Sequence, residues 1–171
     1  EKYREFIEKL EIELKVKGLP MPTFIVGQTG TLTRKTEQVG TYNFHNAYDL
    51  AAMAKAYGVG LKEHNADYLD DVTLLEHIPA NVTASNVAPQ YGTEETRAYL
   101  KLCEVEDILK KEGLLEKTSS LRKTLLVKAI KTERWRKWMI GEQRNLQVAD
   151  ILKDEQLSLD VLDIAGHYAF N

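Results

Sequence analysis

The sequence predicts an α/β protein built on a parallel sheet, and three observations predict it. Short apolar, β-branched runs alternate with amphipathic helical stretches in the order helix, strand, helix, strand, helix, strand, long helix. Each strand-like run stops abruptly in polar residues and leads toward a helix, as strands joined by right-handed crossovers do. Beyond Thr118 only helical patterns remain. Three parallel strands cannot close a barrel, and such a sheet needs cover on both faces. Further strands upstream of Glu1 are therefore expected. The charged, amphipathic opening Glu1-Lys2-Tyr3-Arg4-Glu5 reads as the middle of a longer protein, and Gly166 to Asn171 stops without a polar tail, as a fragment does.

Residues 1–17 form an amphipathic helix with Tyr3, Phe6, Leu10 and Leu14 on one stripe and Ile7 beside it. Gly18, Pro20 and Pro22 end it. Residues 23–26, Thr-Phe-Ile-Val, are the first strand and stop in the polar turn Gly27-Gln28-Thr29-Gly30-Thr31. Residues 31–46 are a long polar connection, a kind of loop that often carries function. Residues 47–57 are a helix with Leu50, Met53, Ala54 and Tyr57 inward, stopped by Gly58. The second strand starts at Val59 and ends at Leu61 or Glu63. Asp70 or Asp71 caps a short helix reaching His77, and residues 82–87 are the third strand. Thr93 is the expected cap of a helix running to Glu112, with Glu94 and Glu95 in its first turn. In the tail, Leu121 to Ile130 marks one helix and Trp135, Trp138 and Met139 another. Leu146 to Leu152 and Leu159 to Ile164 mark two more, the last capped by Ser158.

Composition narrows the function. A net charge of -3 argues against nucleic acid as a main partner, because phosphates need local positive charge. No apolar run approaches the ~20 residues of a membrane span, and the opening is unlike a signal peptide. The lone Cys103 cannot form an internal disulfide, lies in a helical pattern and reads as a core thiol, which fits a reducing, cytoplasmic setting. Residues 117–137 carry eight basic side chains against one acid, interleaved with Trp135 and Trp138. A solvated helix face with tryptophans in the core or in a homo-oligomer interface accounts for that pattern, and binding of nucleic acid or of an acidic partner is the alternative.

The chemistry concentrates at the strand ends. Gly27 to Thr36 superficially follows a P-loop, but Arg34 stands where the glycine before the lysine must be. Gln28, Thr29 and Gly30 instead offer amides and a hydroxyl to a polar ligand, or simply make a turn. Lys62, Glu63, His64, Asn65, Asp67 and Tyr68 crowd the next strand end. Alternation puts Lys62 and His64 on one face and Glu63 and Asn65 on the other. His64 suits contact with a sugar oxygen, acid/base work, metal ligation or a hydrogen-bonded structural role, and Glu63 suits acid/base work. Asn86 and Gln90, in a turn fixed by Pro89 and Gly92, offer amides to hydroxyls. His45, in the long connection, is a weaker pocket candidate.

Three segments together, Phe24 to Gly30, Glu63 to Tyr68 and Asn86 to Pro89, resemble the second half of the tagatose-bisphosphate aldolase Z-type subunit family, also labelled tagatose-6-phosphate kinase. Trp135-Arg136-Lys137-Trp138 and Asp163 to Tyr168 resemble its closing helices. The resemblance implies a TIM (β/α)8 barrel of which residues 1–113 are the C-terminal part, with 114–171 as a helical extension. It implies an auxiliary, non-catalytic subunit that supports a catalytic class II aldolase in carbohydrate metabolism, with sugar phosphate as ligand. The family histidine falls on His64, its acidic and aromatic companions on Asp67 and Tyr68, and its glutamine turn on Gln28 to Gly30. The family's acidic residue and histidine in the 31–46 connection are not matched, so no metal ligand set is carried over. No nucleotide-phosphate motif supports the kinase label. The residues themselves leave two alternatives: a sugar-phosphate or sugar-acid lyase or epimerase using a divalent metal with His64 or Glu63 as acid/base, and an interaction module built on the Trp135 and Trp138 helices.

Overall fold

The computed structural model describes residues 1–167, so Tyr168 of the closing segment lies outside the described residues. By its contacts the chain divides into two units, Glu1–Val87 and Ala88–Asn171. The first holds α1 (Lys2–Val16), β1 (Phe24–Gly27), β2 (Thr33–Arg34), β3 (Glu37–Gln38), α2 (Phe44–Ala56), β4 (Gly60–Glu63), α3 (Asp71–Glu76) and β5 (Val82–Ser85). Strands β1, β4 and β5 form the expected parallel sheet in that order. Phe24 to Gly27 lie opposite Gly60 to Glu63, and β5 slips by a bulge between Leu61 and Lys62. The sheet's covered face buries Ile25, Leu61 and Val59 with Ala51 and Ala54 of α2 and Ile7 of α1. The opposite face carries Phe24 and Val26, 41% and 47% exposed.

Local chemistry explains where the elements depart from expectation. Ile7, not the Phe6 stripe, is the buried centre of α1, and Phe6 is exposed. The 31–46 connection is not featureless. It contains the β2–β3 hairpin, with Thr33 opposite Gln38 and Arg34 opposite Glu37. Its two-residue turn places Lys35 at φ +49 without the Asn-Gly pair that advertises such turns. Helix α2 starts at Phe44 because the Asn43 side chain accepts from the Asn46 amide. Asp70 caps α3 as expected, accepting from the Thr73 amide at 2.8 Å.

The second unit is helical: α4 (Pro89–Lys111), α5 (Leu121–Thr132), 3-10 turns Arg134–Lys137 and Gly141–Asn145, α6 (Val148–Lys153) and α7 (Glu155–His167). Its core joins Leu100 of α4 with Ala129, Ile130, Trp135, Met139, Ile151, Val161, Leu162 and Ile164. Helix α4 thus packs with the tail helices, upstream of the boundary drawn after residue 113. Pro89 takes the first position of α4, where its missing N–H costs nothing, so Thr93 is a buried helical residue and not the cap. The Trp135 segment is a 3-10 turn with the indole 1% exposed and its N–H donating to the Ile130 carbonyl at 3.4 Å, a core role. Ser158 lies within α7 and donates to the Ile151 carbonyl, whereas Asp154 accepts from the Leu157 amide as a cap does. Cys103 is buried and unpaired in a disulfide. Among the described residues no helix is long and apolar enough to cross a membrane.

Candidate functional site

The carboxyl ends of β1 and β4 converge on Glu63. Because strand side chains alternate, Glu63 shares the covered face with Leu61, and it is 0% exposed. The Thr29 hydroxyl, from the turn after β1, donates to its Oε1 at 2.5 Å. Its Oε2 meets Nε2 of His77, the residue that closes α3. His77 Nδ1 lies 2.7 Å from the Thr73 carbonyl, which only accepts, so Nδ1 carries a proton. A second proton is shared between His77 Nε2 and Glu63, which satisfies every polar atom of the pair. Burying a carboxylate costs several kcal/mol unless it is paired and hydrogen-bonded in this way, about the scale that decides local order.

The same hub fixes the neighbouring loops. Thr31 donates to the His64 carbonyl at 2.7 Å and touches Thr29 at 3.3 Å. The Tyr42 ring stacks on His77, with centroids 4.9 Å apart and planes 18° apart. Burial pushes the Tyr42 hydroxyl up to about 12, and the charges of Glu63 and Glu76 add to the shift. That hydroxyl is buried and has no hydrogen-bond partner among the described residues. Gln38 ties the hairpin to the loop after β4: its Nε2 donates to the carbonyls of Asn65 at 2.9 Å and Asp67 at 3.0 Å. Its Oε1 accepts from the amides of Leu32 and Gly40. Gly30 and Gly40 allow the two loops to touch. A Cβ on Gly40 would lie 2.3 Å from the Gly30 carbonyl oxygen, and one on Gly30, at φ +104, 2.1 Å from that of Thr41.

The expected site residues separate into walls, backbone anchors and surface groups. His64 is exposed, and Lys62 lies on the other sheet face with its ammonium 5.7 Å from the Phe24 ring centroid. Gln28 is exposed and contributes its carbonyl, which accepts from Asn46 at 2.6 Å. Asn86 pairs through its backbone, donating to the Glu63 carbonyl and accepting from the Ala66 amide. Asp67 is 2% exposed, while Asn65 and Tyr68 sit at φ +59 and +58. Glu63 and Thr29 come together as a buried pair, and Gly30 makes a close approach. Sequence reading missed His77, Tyr42 and Gln38, which lie far from Glu63 in sequence. The polar character of the 31–46 connection was the one signal for two of them.

Beside this hub lies a cavity of about 360 Å³ lined by Gln38, Gly40, Thr41, Tyr42, Tyr68, Leu69, Asp70 and Thr73. Two of these, Tyr42 and Thr73, also touch His77. The carboxylate of Asp70 is held below its ordinary value, chiefly by the Thr73 amide. A second cavity of about 370 Å³ lies at the amino ends of the strands, next to Gly58, Val59 and Asn81. Among the described residues no group of three or more His, Cys, Asp and Glu side chains is placed to hold a metal ion. In comparisons with known proteins, no family model, no curated protein and no solved structure matches the chain.

Proposed function

We propose that this chain is the C-terminal part of a (β/α)8 barrel serving as the auxiliary, non-catalytic subunit of a class II ketose-bisphosphate aldolase in the cytoplasm. The observation that carries the non-catalytic reading is the state of Glu63. A general acid or base at a strand end must reach the substrate's proton, yet this carboxylate is fully buried and engaged on one oxygen by Thr29 and on the other by His77. Glu63 therefore acts as an internal brace. The barrel reading draws support from the parallel β1-β4-β5 sheet, with α1 and α2 residues packed on one face and half-exposed Phe24 and Val26 on the other. In a barrel that second face looks inward and is filled by side chains from the remaining strands.

The test is a mixing assay with the full-length protein and a catalytic class II aldolase subunit. The expected result is no turnover by the protein alone, with a rise in the activity and thermal half-life of the partner. Cleavage of a ketose bisphosphate by the protein alone refutes the reading, as does an aldolase indifferent to its presence.

A lyase or epimerase acting by itself is favoured by one observation, the exposed His64 at the end of β4. On that reading His64 carries the acid/base role without Glu63, and His64→Ala abolishes turnover while the fold stays intact.

A further inference from the structure

We propose that the cavity between the β2–β3 hairpin and the loop before α3 binds a neutral, hydroxyl-rich ligand, an unphosphorylated sugar or polyol. Its volume of about 360 Å³ falls in the range of small-molecule sites, roughly 300–1,000 Å³. Its lining mixes two tyrosine rings, Tyr42 and Tyr68, with Thr41, Thr73 and the Asp70 carboxylate. Aromatic faces receive the C–H face of a sugar, and hydroxyls and a carboxylate receive its O–H groups. Each Asp70 oxygen takes one bond from Thr73, to the amide at 2.8 Å and to the hydroxyl at 3.2 Å. The amides of Val72 and Asp70 also act on this carboxyl, which as an ionised group accepts at about four lone-pair sites and so suits a ligand hydroxyl at the cavity wall. The buried Tyr42 hydroxyl is a further polar group in this wall without a partner among the described residues.

The walls are set before any ligand arrives. Gln38 spends both amide protons on the Asn65 and Asp67 carbonyls and its oxygen on two backbone amides, so it braces the cavity and does not read the ligand. Tyr68 and Asn65 hold left-handed backbone, which for a bulky side chain such as Tyr68 is uncommon and persists only where surroundings enforce it.

Charge decides the ligand class. Among the described residues no Lys or Arg lines the cavity, and Asp70 is the one acidic side chain in its lining. The Glu63 and Glu76 charges reach Tyr42 from behind the wall. The Thr73 amide, a natural phosphate donor, is already held by Asp70. A phosphate would meet a carboxylate with no basic partner, and like-charge juxtaposition is costly. The inference is independent of the aldolase reading: a sugar phosphate would have to bind elsewhere on the molecule, and the mixing assay does not depend on this cavity.

The experiment is an amide chemical-shift titration of the full chain with sorbitol and D-fructose, each compared with D-fructose 6-phosphate. The expected result is saturable shifts at Thr41, Tyr68 and Thr73 with the neutral probes, and affinity weaker by about tenfold or more for the phosphate at those amides. Asp70→Asn keeps α3 capped, because Asn caps as well as Asp. It should narrow the gap between fructose and its phosphate by about threefold. Tyr68→Phe, which keeps the ring, should retain binding of the neutral probes. Fructose 6-phosphate binding as tightly as fructose, shifts confined to other residues, or no saturable shift with either neutral probe overturns the proposal.

Discussion

Replacing Glu63 and His77 separately distinguishes a structural brace from a catalytic acid. In His77→Phe the ring volume is retained, but Oε2 of Glu63 loses its partner inside a fully buried site. Breaking a buried charged pair from one side costs about 3–5 kcal/mol. Glu63→Gln is different. Its amide oxygen can still accept from Thr29, and its NH2 can donate to His77 Nε2. In that variant the second proton is absent and the ring is neutral, with its one proton on Nδ1 toward Thr73. Only the charge assistance is lost, about 1 kcal/mol. The expected gap between the variants is therefore roughly 2–4 kcal/mol, against a total stability of about 5–15 kcal/mol for a domain. The assay must read the first unit. Both tryptophans, Trp135 and Trp138, belong to the second, so their fluorescence is blind to this change. Native-state hydrogen exchange at the Asn86 amide, which donates to the Glu63 carbonyl, and at Leu61 reports locally. Equal destabilisation by Glu63→Gln and His77→Phe would refute the shared-proton account. Loss of turnover in Glu63→Gln with unchanged exchange would instead make Glu63 catalytic.

Three further outcomes follow from the geometry. Tyr42 has its folded value raised above the ordinary 10.0 to about 12, so its contribution to stability is full below pH 10 and is lost as pH rises toward 12. Discounted for its partial exposure, that contribution is on the order of 1 kcal/mol, and ultraviolet titration should show one tyrosine ionising last, absent in Tyr42→Phe. Asp70 has its folded value lowered from 3.8, so its cap stabilises α3 above that pH and the benefit fades as pH falls through the depressed value. Asp70→Ala should thus lower stability at neutral pH and have little effect in strong acid, as read by exchange at Thr73. Gly166→Ala places a Cβ 2.3 Å from the Thr96 hydroxyl and 2.8 Å from its Cβ where α7 meets α4, so it should destabilise the second unit by about 1–3 kcal/mol, and Thr96→Ala should recover part of that. Tryptophan fluorescence during urea unfolding is the suitable readout there, and an unchanged midpoint for Gly166→Ala would contradict the close helix contact.

The parallel sheet was legible because β-branched runs separated by helical periods leave little alternative, and Asp70 as a cap was legible because its side chain acts three residues away. What escaped reading acts at longer range or without a local signature. The β2–β3 hairpin has two-residue strands, too short for alternation to register, and its turn uses Lys35 where glycine or asparagine usually announces a left-handed residue. Thr93 matched a cap by residue type, yet Pro89 had already fixed the first turn of α4. His77 closes a helix by sequence, and its partnership with Glu63 across 14 residues depends on the crossover returning α3 to the strand end.

Parity along β4 carries the deeper lesson about the site. An ionisable cluster at a strand end invites a catalytic reading of every member, but alternation divides it into two populations with different solvents. Glu63 shares its side with Leu61, which is 1% exposed beneath α2, and so is committed to the interior; it persists there because Thr29 and His77 satisfy it. Lys62 belongs to the side that also presents Phe24 and Val26, and His64, beyond the strand, remains exposed. Leu61 alone identifies the covered face, so the sequence contained enough to place Glu63 inside. A buried carboxylate then demands partners, and Thr29, two residues beyond the Gly27 that lies opposite Glu63, supplies a hydroxyl from the adjacent strand end. His64 and the half-buried Lys62 are therefore the ionisable groups of this strand end that face away from the interior, while Glu63 holds together the strand end that carries them.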